Sequence, residues 1–81
     1  MNTQMKMAKV LTITTYANSK GLHMTLVATI DANATPEQFF AEVGLLGKVK
    51  SFEASKTMPL PYALQHSFML QKKLTAYLIH H

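Results

Sequence analysis

The stretch Leu22-His23-Met24-Thr25-Leu26-Val27-Ala28-Thr29-Ile30-Asp31 decides the fold. Leu22, Met24, Leu26, Ala28 and Ile30 fall on one side of an extended chain. His23, Thr25, Thr29 and Asp31 fall on the other, and Val27 is the one exception. A period of two sustained this long is the pattern of a half-buried strand.

Working outward, Asn18-Ser19-Lys20-Gly21 supplies turn chemistry, with Gly21 free to take a positive φ. Before it, residues 8–16 alternate loosely and are rich in Thr, Val, Ile and Tyr, which suits a partner strand. Residues 8–31 are therefore read as a β-hairpin. Residues 1–7 are polar and Met-rich and are expected to fray.

After the hairpin, Thr35-Pro36-Glu37-Gln38 is a helix start. Thr35 caps free backbone N–H groups, Pro36 fits the first helical position, and Gln38 completes a capping box. Glu37 complements the positive end of the helix dipole. Phe39, Phe40, Val43 and Leu46 are expected to form the buried stripe, with Gly47 as the stop. Lys48 to Lys56 reads as a short edge strand whose lysines discourage edge pairing. Val49 and Phe52, however, do not share a face in a regular strand. Thr57-Met58-Pro59-Leu60-Pro61 reads as an extended loop.

Residues 62–79 admit two readings. They lack Gly and Pro and are rich in Ala, Leu, Gln, Met and Lys, which favours a helix. Ala63, Leu64, Leu70, Leu74, Tyr77 and Leu78 would then share one face. As a strand, Phe68, Leu70, Leu74, Ala76 and Leu78 would align, but Lys72 would intrude. The expected fold is a single α+β domain over residues 1–81, in the order β-β-α-β-α, with β-β-α-β-β as the alternative. A small antiparallel sheet would be covered on one face by one or two helices.

A chain of 81 residues buries only roughly 60–65% of its unfolded surface, so its stability margin is narrow. There is no cysteine to staple it, which points to a reducing, cytoplasmic setting. Self-association is the remaining supplement, and a homodimer is expected. Lys6 and Lys9 precede the run from Val10 to Ala17 in the manner of a signal peptide, but three threonines make that run too polar. No stretch reaches the length of a membrane span, so no membrane partner is expected.

The net charge is +4, and all eight basic residues are lysines. Without arginine, bidentate readout of bases is disfavoured, although lysine still attracts phosphate. No phosphate-cradling loop is present. Glu37 and Glu42, five apart on a helix, point in different directions and make a poor acid/base pair. His23, His66, His80 and His81 lack metal-ligand spacing. His80 and His81 also have the look of a tag. No catalytic residue, metal or cofactor is assigned.

The function expected is a small non-enzymatic protein-interaction module: a regulator, inhibitor or assembly factor. Methionines repack readily at adaptable surfaces, and Met58, Leu60 and Tyr62 are the candidate contacts for a protein partner. The alternative is a nucleic-acid binder without sequence preference, using Lys48, Lys50, Lys56, Lys72 and Lys73.

Overall fold

The structure, a computed structural model, describes residues 6–80 and the side chains of residues 6–74. Its order is β1 (Met7–Thr15), β2 (Thr25–Asp31), α1 (Pro36–Glu42), β3 (Val49–Ala54), β4 (Met58–Pro59) and α2 (Leu60–His80). The sheet is antiparallel, with β1 in the middle. β2 lies on one side of β1, and β3 and β4 pair with β1 as well. This is the expected α+β fold with its C-terminal helix, plus a two-residue strand where an extended loop was expected. Of the expected fraying at residues 1–7, positions 1–5 lie outside the described residues. Lys6 already accepts a hydrogen bond from Leu60 N–H, and Met7 opens β1.

The central strand is buried on both faces of the sheet. In β1, Leu11 and Ile13 point one way and pack with Ile30 and Phe40. Ala8 and Val10 point the other way and pack with Ala63 of α2. The expectation of helices on one face is corrected here: α1 covers one face and α2 the other. Val27, the exception in the β2 pattern, is explained by this arrangement, because it packs on the α2 side against the Ala8, Val10 and Ala63 cluster. Ala8 and Ala63 are 1% and 0% exposed. Small side chains there let helix and sheet approach closely.

A bulge resolves the Val49–Phe52 spacing. Thr14 pairs with Ser51 but Thr15 pairs with Val49, so Lys50 is an extra residue. It brings Val49 and Phe52 to the same face. Phe52 then meets Phe40 edge-on, ring centroids 5.3 Å apart. Beyond Ser55 the strand shifts by another residue before β4. Leu60 N–H bonds Lys6 C=O, so by alternation the nitrogen of Pro59 faces away from β1, where its missing N–H costs no ladder bond.

The capping box of α1 is present in both directions: Thr35 Oγ accepts from Gln38 N–H at 3.2 Å, and Gln38 Oε1 accepts from Thr35 N–H at 2.9 Å. Thr35→Ala is therefore expected to cost about 1 kcal/mol, measured as a shift in denaturation midpoint. The helix stops earlier than expected. It ends at Glu42, and Gly44 takes φ 77° while Leu45 N–H bonds back to Phe40 C=O. The helical period ends there, so Val43 and Leu46 are exposed and Leu45 packs on the core instead.

The hairpin is shorter than expected. Leu22 and Met24, placed on the apolar side by their alternation, are 62% and 49% exposed. The Asn18 side chain accepts from Lys20 and Leu22 N–H, which curls residues 18–22 into a loop and takes them off the strand.

Candidate interaction surface

α2 meets the sheet along one row. Leu60, Ala63, Ser67, Leu70 and Leu74, three or four apart, are all buried or half-buried, as one face of a helix requires. The other sides of the same helix remain apolar. Tyr62, Leu64, Phe68 and Met69 are 54–63% exposed. At 100° per residue, Tyr62 and Met69 project about 110–130° from the centre of the buried row on one side of the helix, and Leu64 and Phe68 about 90–130° from it on the other. The sequence places no Asp or Glu after Glu53, so α2 is apolar and basic with no carboxylate. Lys72 Nζ lies 5.5 Å from the centroid of the Phe68 ring, which holds a cation over an exposed aromatic face.

The residues singled out from the sequence are divided by the structure. Met58 and Leu60 are half-buried and pack against the Ala8, Val10 and Ala63 cluster. Tyr62 is exposed. Lys48, Lys50 and Lys56 are exposed along the outer edge of β3 and the link to β4, with Glu53 among them, whereas Lys72 and Lys73 are exposed on α2. The five lysines thus form two groups on different elements. Of the residues assigned to a buried helical face, Leu64 is exposed, and the side chains of Tyr77, Leu78 and His80 lie outside those described, as does His81. Phe68 and Met69 were missed as surface contacts. The signal that would have found them is the small pair Ala63 and Ser67, which marks the row nearest the sheet.

Clefts among the described residues lie between the elements. One of about 210 Å³ lies between α2 and the β3 edge, with His66, Glu53, Ser55 and Thr12 in its lining. One of about 490 Å³ lies between β2 and α1, with Ile30, Ala34 and Phe39 as its apolar part and Asp31 and Glu42 as its charged part. A third, of about 400 Å³, lies beside Tyr16, Met24 and Leu45. Among the described residues no group of three or more His, Asp or Glu is placed to hold a metal ion. Nor is any described helix long and apolar enough to cross a membrane.

The arrangement is a small antiparallel α+β domain whose C-terminal helix, among the described residues, leaves Tyr62, Leu64, Phe68 and Met69 exposed beside Lys72 and Lys73. The chain matches no family model, no curated protein and no solved structure.

Proposed function

We propose that this chain is a small protein-interaction module, acting as a regulator, inhibitor or assembly factor, and that it binds its partner with the side of α2 that carries Tyr62 and Met69. The observation that carries this reading is the exposure of Tyr62 and Met69 on a helix that has already satisfied its other face against the sheet. Large apolar side chains at helical spacing fit a helix-in-groove contact. Tyr is also favoured among the few anchors that dominate interface energy. Lys72 and Lys73, with no acidic neighbour on α2, suit a groove rimmed by carboxylates. The absence of cysteine fits a reducing, cytoplasmic setting.

The test is capture of a partner from the native extract after nuclease treatment, with the full chain and with the Tyr62→Ser/Met69→Ser variant. Both positions are more than half exposed, so the fold should survive. The variant is expected to lose roughly 30-fold or more in affinity, the scale of one strong anchor. Capture that disappears with nuclease but survives the variant would overturn this reading in favour of nucleic acid. In that case changing Lys48, Lys50, Lys72 and Lys73 to Gln would lower the slope of log affinity against log salt by up to about 3–4 on duplex DNA.

A further inference from the structure

The two edges of the sheet differ. The β3 edge carries Lys48, Lys50, Lys56 and a bulge, all of which discourage strand pairing. The β2 edge, Thr-Leu-Val-Ala-Thr-Ile-Asp, carries no lysine, proline or bulge, and among the described residues no strand lies beyond it.

The ladder fixes which backbone groups this edge presents. Thr15 N–H donates to Met24 C=O, and Ala32 N–H donates to Met7 C=O. Hydrogen-bonded pairs alternate along an antiparallel ladder. The even-numbered residues of β2 therefore bond to β1, and Thr25, Val27, Thr29 and Asp31 turn their N–H and C=O groups outward. Asp31 C=O is already taken by Ala34 N–H. Among the described residues the free set is Thr25, Val27 and Thr29, which is symmetric about Val27.

We propose that two copies of this chain join their β2 edges antiparallel about a twofold axis at Val27, making one continuous sheet. Three further observations fit a second copy as the occupant. First, the axis sets Val27 against Val27 and Thr25 against Thr29 of the second copy, β-branched pairs that favour cross-strand contact. All six free backbone groups on each strand are then satisfied. Second, polar and charged groups complement. The axis sets Asp31 opposite His23 of the second copy, a pair able to hydrogen-bond. It also lays the hairpin loop, with Lys20 and no acid, toward the end that carries Asp31, Glu37 and Glu42. It sets the exposed Met24 opposite Ile30 of the second copy, whose neighbours Ala34 and Phe39 help line the 490 Å³ cleft. Third, α2 presents its apolar flank on this side. His66 borders the cleft at the β3 edge, and Leu64 and Phe68 are each two residues, about 200°, around the helix from it. They project toward the β2 side, where the two copies of α2 would meet over the joined sheet.

This inference does not depend on the Tyr62 and Met69 side of α2 binding another protein. It is tested by sedimentation of the full chain across micromolar concentrations, with amide exchange read residue by residue. The mass is expected to rise with concentration toward twice the 9.0 kDa of one chain, and the amides of Thr25, Val27 and Thr29 to become protected as it does. Phe68→Glu, at a position 58% exposed, is expected to raise the dissociation constant about tenfold or more by loss of apolar contact and like-charge repulsion. Thr25→Pro removes an outward donor at the exposed first residue of an edge strand, where proline is tolerated, and should act in the same direction. Circular dichroism checks that both variants keep the fold. A single-chain mass throughout would overturn the proposal. So would a dimer that withstands both changes, or one that leaves those three amides exchanging freely.

Discussion

Phe40→Ala is expected to cost about 3–5 kcal/mol, a large part of the roughly 5–15 kcal/mol that holds a small domain together. Phe40 is 5% exposed and packs with Leu11, Ile13 and Ile30. Its ring also meets Phe52 edge-on at an interplanar angle of 74°. α1 has only seven residues, too few to be stable alone, and Phe40 is its only buried side chain. Losing that ring removes the anchor of the helix together with the core volume it fills. Phe39→Ala, at a half-buried position, should cost clearly less. Urea denaturation of both variants measures the difference. Equal midpoints would show that α1 presents a different face to the sheet.

The second large effect is expected at Leu11. It is 0% exposed in the middle of the central strand, so Leu11→Ala should cost about 2–5 kcal/mol. From the alternation of residues 22–31 alone, the greatest cost would fall at Leu26. That residue is only half-buried and packs at the margin of the Leu11 cluster. Leu26→Ala should therefore be the milder change, and Thr25→Ala, exposed at the edge, milder still. Denaturation midpoints in the order Leu11, Leu26, Thr25 check the assignment.

What the sequence disclosed was local. The hairpin strands and the Thr35–Gln38 box depend on neighbours a few residues apart, and both stand in the structure. What it concealed depends on distant partners. β1 reads as one-sided because Thr12 and Thr14 alternate with Leu11 and Ile13, yet Ala8 and Val10 continue its other face beneath α2. Val27 and the Val49–Phe52 spacing were irregularities in a local pattern, and each marks a tertiary feature: a second covered face and a bulge. β4 is two residues long and half proline, so no periodicity announces it.

The interaction surface was legible only in part. Tyr62 is exposed, but Met58 and Leu60 belong to the packing beneath α2. Apolar residues occur on every side of residues 60–74, so helical periodicity alone could not separate the row that meets the sheet from the rows left outside. The distinction came from Ala63 and Ser67, small residues buried at 0% and 6% exposure, of which Ala63 packs against Ala8 and Val10 of β1.

The central claim is that each face of the sheet carries one helix, which is what turns Tyr62 and Met69 outward. Nuclear Overhauser contacts in the full chain test it most directly. The methyl groups of Leu60 and Leu70 should show contacts to Ala8, Val10 and Val27 and none to Leu11 or Ile13, while the Phe40 ring should contact Leu11, Ile13 and Ile30. Contacts from Leu70 to Ile13 or Leu26 would place both helices on one face and contradict the account.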